Sequence, residues 1–494
     1  MSWKKYFRCR SVESMIEEAQ TSKGLERTLG AFQLTMLGIG AIIGAGIFVF
    51  TGAAAAQHAG PSIVLSFALA GLACACVALC YAELASMIPV SGSSYSYAYT
   101  ALGELPAWII ACMIMLTYIL GAASVASGWS GYMQSFMADY GLILPAYLTD
   151  SFGATVKLPD GQATTSIIDL PALLIVGLMT FVVLKGSQAS AWVNSVIVFI
   201  KMTVLFGFIA LGATKVDPSN WQPFIPDNTG TFGEFGISGI LAGASVVFLA
   251  YNGFDAVATA AQETKNPKRD LPIGIMGSLL VCVLVYILVS GVLTGVVPYH
   301  ELAVAEPMAV AVDRMQMPWF SAVIKVGAIA GLTTVILVLI YGSVRILFAV
   351  TKDGLLPPVL ATLNKKTHAP SMLTMAVGMV IAVLSSVLSV DKLVKLANFG
   401  TLATFAIVCV GTVYLRYKKP NVKREFRCPM VPFIPLFGAS LLVGILAGLP
   451  NEIFIYAGVW VGTMLIVYFA YGSRHSHLLH PVRKVTVADK RKKK

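Results

Sequence analysis

Two short runs in a largely apolar sequence carry its most distinctive chemistry. In Gly38-Ile39-Gly40-Ala41-Ile42-Ile43-Gly44-Ala45-Gly46-Ile47-Phe48, four glycines fall within nine residues. Glycine costs about 1 kcal/mol relative to alanine inside a helix, so such clustering invites a break. Further along, Phe248-Leu249-Ala250-Tyr251-Asn252-Gly253-Phe254-Asp255 sets Gly253 among polar residues inside another apolar stretch. A helix unwound within a membrane frees N–H and C=O groups where no water can satisfy them. The positive end of a half-helix and its free amides then favour a carboxylate, while freed carbonyls accept from an ammonium group. A small zwitterion meets both demands. The competing reading of the glycines is close helix packing, since Gly40 and Gly44 have the four-residue spacing of small-residue contacts. The second run tips the balance towards breaks.

The third feature is Lys201, the only charge between Lys185 and Lys215. An intramembrane lysine costs at least about 2.5 kcal/mol on insertion scales, which makes it a functional candidate by default. The alternative is snorkelling, with the ammonium reaching the interface on its flexible stem. Leaving water disfavours the charged form of a lysine, so release and recapture of a proton becomes feasible there. Lys325, near the outer end of another apolar run, reads as a snorkelling side chain. Asp255 reads as a cap on the helix that follows Gly253. Asn252 has two readings, donation to a substrate carboxylate or satisfaction of a freed carbonyl. Glu83 and Glu104 stand at the ends of apolar runs and are expected to face the cytoplasm. Of the eight cysteines, Cys74, Cys76, Cys80, Cys112, Cys282 and Cys409 fall in apolar runs. Cys74 and Cys76 do not share a helix face, and buried small side chains are expected rather than a metal or a disulfide.

The elements that must position these residues follow from composition. The chain has 494 residues, 57% hydrophobic and 12% charged, with mean hydropathy +0.79. That excludes a soluble globular domain. A helix needs about 20 apolar residues to cross a hydrocarbon core, and twelve spans are expected near 34–56, 61–82, 107–129, 170–184, 191–211, 236–261, 272–297, 322–347, 373–390, 396–415, 431–449 and 453–471. Connections after even-numbered spans are rich in Lys and Arg, which puts both termini in the cytoplasm. The net charge of +11 therefore reads as topology and not as nucleic-acid binding. The tail Lys490-Arg491-Lys492-Lys493-Lys494 reads as a solvated, lipid-facing end. No removable signal peptide is expected, and residues 1–30 suggest a short surface helix with Met15 and Ile16 as apolar contacts. The external stretches 137–168 and 215–235 read as loops.

Six runs in order carry a resemblance over nearly the whole chain: Gly38 to Phe48, Cys80-Tyr81-Ala82-Glu83, Pro89 to Tyr97 in the loop that follows, Gly253-Phe254-Asp255-Ala256-Val257, Asn266 to Pro272, and Asp353-Gly354-Leu355-Leu356-Pro357. The sequence resembles the amino acid-polyamine-organocation superfamily, and within it the bacterial relatives of the cationic amino acid transporters. The resemblance implies an all-α polytopic membrane protein of twelve helices. Ten of them would form a core of two inverted five-helix repeats, with helices 1 and 6 broken and two extra helices outside. The expected organisation is a cytoplasmic segment 1–30, repeats 31–214 and 215–415, extra helices 416–471 and a basic tail 472–494. It further implies alternating access, with substrate between spans 1, 3, 6, 8 and 10.

Carried over residue by residue, the substrate backbone would meet Ile42, Gly44, Ala45 and Gly46 in span 1 and Leu249, Ala250 and Asn252 in span 6. Lys201 matches a lysine that stands, in proton-coupled relatives, where sodium-coupled ones hold their ion, so it would be the coupling group. Many relatives carry an acidic residue in span 3 where this chain has Thr117, and Leu339 of span 8 would cap the side-chain cavity with hydrocarbon. Both departures point to neutral rather than cationic amino acids. The expectation is a secondary carrier in the inner (plasma) membrane for proton-coupled uptake of neutral amino acids. It would need no cofactor, the proton gradient being the driving force. The runners-up are a cationic amino acid carrier and an exchanger of amino acids or polyamines; any small membrane-protein partner is left open. An intramembrane enzyme is disfavoured: there is no His-Glu-x-x-His, no intramembrane Asp pair, and the six His fall outside the expected spans. A channel is disfavoured because no continuous polar pathway is legible.

Overall fold

The computed structural model describes residues 7–11, 29–88, 93–157, 163–184, 191–261, 264–304, 306–364 and 370–478. The expected surface helix around Met15 and Ile16 and the tail 490–494 lie outside the described residues. Among the described residues, eight helical segments are long and apolar enough to cross a membrane: Ala31–Met87, Glu104–Asp139, Ser195–Ala213, Gly236–Ala258, Pro267–Val296, Pro318–Lys352, Val390–Lys418 and Asn451–His475. Shorter apolar helices occupy Leu170–Leu184, Ser371–Val387 and Phe433–Ala447. The 57 residues of Ala31–Met87 exceed one crossing of about 20 residues. They divide at Gly60, whose φ of +59° ends the helical turns before Pro61, and a new helix runs over Ile63–Met87.

Several helices outrun their expected ends. Glu104–Asp139, Pro318–Lys352 and Val390–Lys418 continue past the apolar windows 107–129, 322–347 and 396–415, because helical hydrogen bonding does not stop where hydrocarbon does. Residues 89–92 lie outside the described residues, but Ser93–Ala101 is a buried helix rather than the expected loop. Tyr95, Tyr97 and Tyr99 all point inward from it. The stretch 137–168 also holds more than loop: Thr155–Lys157 pairs antiparallel with Ala163–Thr165. A short helix, Pro307–Arg314, follows the seventh span.

The helices pack as two groups. Ala31–Ile42, Ile63–Met87, Gly236–Val247 and Pro267–Val296 form one, and Glu104–Asp139, Leu170–Leu184, Pro318–Lys352 and Ser371–Val387 form the other. Ala191–Ala213 touches members of both. The most apolar window of Glu104–Asp139 is 89% buried and that of Asn451–His475 only 17%, so the third span is central and the last is peripheral.

Glu83 and Glu104 do not face solvent; they are 1% and 0% exposed. The Glu83 carboxylate accepts from Arg416, from Arg424 Nε at 3.0 Å and from the Cys428 N–H at 2.8 Å. Glu104 accepts from Tyr99 and Tyr468 hydroxyls at 3.0 and 2.8 Å and from Ser476. A buried carboxylate survives only with such partners. Asp353 accepts from Tyr95 at 2.6 Å and pairs with Arg10 at 3.3 Å, and its carbonyl accepts from the His477 N–H at 3.0 Å. Residues near both ends of the chain thus meet on one face. His58 lies on helical turns, Ala55–Ala59, that prolong the first span, so it is not outside the helix as expected.

Candidate functional site

The first span is broken where its glycines cluster. Helix Ala31–Ile42 ends with Ile43 in extended geometry, φ −74° and ψ 103°, and helical turns resume over Gly46–Phe50. The Ile43 N–H closes the first ladder on Ile39, and the Phe48 N–H opens the next on Gly44 at 3.3 Å. The intervening amides, Gly44 to Ile47, stand at the positive start of the second half-helix, outside that ladder. In the sixth span, helix Gly236–Val247 tightens into a 3₁₀ turn at Phe248–Tyr251. Asn252 is extended, Gly253 takes φ +124°, and Phe254–Thr259 restarts the helix. The Asp255 carboxylate accepts from the Gly253 N–H at 3.2 Å, the capping role expected of it.

The two breaks face each other at contact distance. A Cβ at Gly46 would sit 2.1 Å from Ala250 Cβ, and one at Gly253 would sit 2.7 Å from the Ala41 carbonyl carbon. These glycines therefore permit a backbone approach that no larger residue allows. Gly38, by contrast, packs on Ser278 of the seventh span, so part of the glycine cluster serves ordinary helix contact.

Three side chains from other helices serve the carbonyls that the breaks release. Lys201 is 1% exposed, and its ammonium donates to the Gly40 and Ile43 carbonyls, both at 2.9 Å. It does not snorkel; it is turned inward and ties the fifth span to the break in the first. Its stem passes Gly331 of the eighth span, where a Cβ would come within 2.8 Å of the lysine Cδ. The Tyr286 hydroxyl lies 2.8 Å from the Ile42 carbonyl and 2.9 Å from that of Ala250. With one hydrogen to give, it can serve one break or the other at a time. Asn398 donates to the Ser245 and Val246 carbonyls at 2.5 and 3.2 Å. Sequence reading missed Tyr286 and Asn398; the available signal was a single polar side chain within an apolar helix.

Between the breaks and the third and eighth spans lies a cavity of about 860 Å³, counting space open to solvent. Ile42, Gly44, Ala45, Gly46, Leu249, Asn252 and Leu339 line it. Two expected contributors do not. Ala250 is turned against Gly46, with its carbonyl taken by Tyr286. Thr117 faces the tenth span, its hydroxyl donating to the Ala397 carbonyl at 3.2 Å and lying 3.1 Å from Thr401 Oγ1. Its neighbour Tyr118 lines the cavity instead and donates to Asp255 at 2.9 Å. Arg345 and Tyr341 complete the wall beyond Leu339.

Lys325 also departs from expectation. It is 2% exposed and donates to both carboxylate oxygens of Asp139, at 2.7 and 2.8 Å. A carboxylate on the third span therefore fixes it within the protein.

Repeated membrane-crossing helices, two of them broken opposite one another beside a cavity, define a multi-span membrane transporter. Residues 29–470 match the family described as amino acid permease. The chain is 42% identical over 472 residues to a methylthioribose transporter of Bacillus subtilis (strain 168), covering 96% of this chain and 99% of that protein. It is 42% identical over 473 residues to a branched-chain amino acid permease of the same organism, covering 96% and 98%. A chloroplastic cationic amino acid transporter of Arabidopsis thaliana is 39% identical over 429 residues, 84% of this chain and 72% of that one. The chain belongs to the amino acid permease family of the amino acid-polyamine-organocation superfamily. It is accordingly a permease and not an enzyme.

Proposed function

We propose that this permease takes up neutral amino acids across the plasma membrane by alternating access, driven by the proton gradient without a cofactor. The observation that carries the reading is the meeting of the two breaks at Gly46 and Ala250 beside an apolar cavity. The amides at Gly44 to Ile47 suit the substrate carboxylate, and the backbone around Leu249 to Asn252 suits its ammonium. Apolar side chains fit against Leu339, Val335 and Val338, which line the same space. No carboxylate lines the cavity among the described residues, so a cationic side chain lacks a partner there. The branched-chain permease among the relatives supports this choice, and the cationic transporters are less similar.

In this reading twelve spans cross the membrane with both termini cytoplasmic, and residues 31–214 and 215–415 are the inverted repeats. The helix group holding the first, second, sixth and seventh spans rocks against the other. Lys201 couples the cycle: its ammonium holds the first break through Gly40 and Ile43, and proton loss releases that hold. A second reading draws on the methylthioribose transporter among the relatives, because an uncharged thioether sugar also suits apolar walls. Uptake of labelled leucine, alanine, arginine and methylthioribose into proteoliposomes, with and without an imposed pH gradient, tests both. The reading expects gradient-stimulated uptake of a neutral amino acid; dominant uptake of arginine or methylthioribose contradicts it.

A further inference from the structure

Lys201 has a counterpart in the second half of the chain. The first part of the first span, Ala31–Ile42, and the first part of the sixth, Gly236–Val247, are both helices of twelve residues, and each runs into a break. Gly40 is the tenth residue of one and Ser245 the tenth residue of the other. Carbonyls in the last turn of a helix have no partner within it. Here a side chain from four spans later serves each: Lys201 of the fifth span donates to Gly40 at 2.9 Å, and Asn398 of the tenth donates to Ser245 at 2.5 Å. Each also reaches a second carbonyl nearby, Ile43 for the lysine and Val246 for the amide.

The likeness extends to what stands behind each side chain. The Lys201 stem passes Gly331 of the eighth span. Asn398 follows Ala397, whose carbonyl accepts from Thr117 of the third span. Two residues on, a Cβ at Gly400 would sit 2.6 Å from the Met113 carbonyl oxygen, so the tenth span lies hard against the third there. Both side chains thus hold a half-helix of one helix group while braced on the other group.

They differ in what they can lose. An amide has no proton to release. Asn398 is 0% exposed; carbonyls only accept, so its nitrogen faces them and its oxygen turns away, with no donor among the described residues. A buried acceptor left unmet lowers stability, so the position this amide imposes on the chain accounts for it better than stability does. That position bears on the cavity, because Leu249 and Asn252, three and six residues after Val246, line it. A half-helix free to shift leaves fewer carriers with that backbone in place, and apparent affinity falls by the same fraction.

We propose that Asn398 is a positioning residue, the second repeat's counterpart of Lys201: it latches the first part of the sixth span to the tenth and holds the backbone from Leu249 to Asn252 ready for substrate, whatever the state of the proton. The inference rests on the reading of this cavity as the transport site and of residues 31–214 and 215–415 as repeats.

The test measures KM for labelled leucine, with and without an imposed pH gradient, in proteoliposomes holding the native full chain, Asn398→Ala or Asn398→Leu. Loss of the two donors raises KM about tenfold in both variants, and stimulation by the gradient stays as in the native protein. Leucine nearly keeps the shape of the amide, so it separates a donor from a packing role. A near-native KM in Asn398→Leu beside a raised one in Asn398→Ala overturns the proposal. So does a native KM in both with only the maximal rate lowered, or a loss of gradient stimulation. Where the native protein carries arginine or methylthioribose in place of leucine, the neutral amino acid reading fails, and the same variants test the latch through the KM of that solute. A native protein that carries none of the three overturns both. Should both variants fail to fold, Asn398→Ser provides the measurement: one hydroxyl serves at most one carbonyl and raises KM about threefold, and a native KM counts against the proposal.

Discussion

Two buried lysines in two apolar helices solve the same problem differently. Lys325 is held by a carboxylate, Asp139, whose side chain is 44% exposed. Lys201 is held only by main-chain carbonyls, at Gly40 and Ile43, and among the described residues no carboxylate pairs with it. Removing the proton from Lys325 would strand a carboxylate beside a neutral amine. Removing it from Lys201 would leave only neutral groups, at the junction where the first span is already unwound. A fixed counter-ion makes a lysine a strut, whereas a helix break makes it a removable one. Proposed coupling therefore belongs to Lys201 and not to Lys325.

The comparison breaks most sharply if the break itself is filled. Gly46→Leu drives a side chain into Ala250 and disturbs the backbone that receives Lys201; leucine uptake in proteoliposomes falls by about 100-fold, the cost of misplacing a bound group by about an ångström. Native-like uptake would mean the two breaks need not touch. A middling effect follows from Tyr286→Phe, which deprives the Ile42 and Ala250 carbonyls of their shared donor. Loss of about 1.4 kcal/mol of hydrogen bonding raises KM about tenfold, with the pH-gradient stimulation retained. The smallest effect belongs to Lys325→Met. It leaves Asp139 unpaired but partly solvated, so thermal unfolding in detergent registers a loss of only about 1 kcal/mol. Adding Asp139→Asn recovers part of it, and gradient-driven uptake persists in both proteins.

How much of this was legible in the sequence depends on whether the signal was local. Glycine's effect on a helix is local, and the breaks fall at Ile43 and Gly44, within the first glycine cluster, and at Asn252 and Gly253. A lone lysine in an apolar run is local too, and Lys201 is buried at the first break. The direction in which a helical side chain points is not local. Thr117 and Tyr118 are one residue apart, about 100° around the helix, and that rotation puts the tyrosine on the cavity and the threonine against Ala397. Glu83 and Glu104 read as solvent-facing because their partners, Arg416 and Arg424 for one and Tyr468 and Ser476 for the other, lie hundreds of residues away in sequence. Lys325 misled for the same reason, since Asp139 belongs to a helix that was expected to end well before it. Glycine placement located the breaks and a lone charge singled out Lys201, but Tyr286 and Asn398 emerged only from the arrangement of the freed carbonyls.

The most direct measurement is proton movement during leucine uptake into proteoliposomes that contain a pH-sensitive dye, with native protein beside Lys201→Met and Lys325→Met. The account predicts that protons enter with leucine in the native and Lys325→Met proteins, and that Lys201→Met moves none and gains nothing from an imposed gradient. If Lys201→Met still carries protons with leucine at the native ratio, a lysine held by bare carbonyls is not the coupling group.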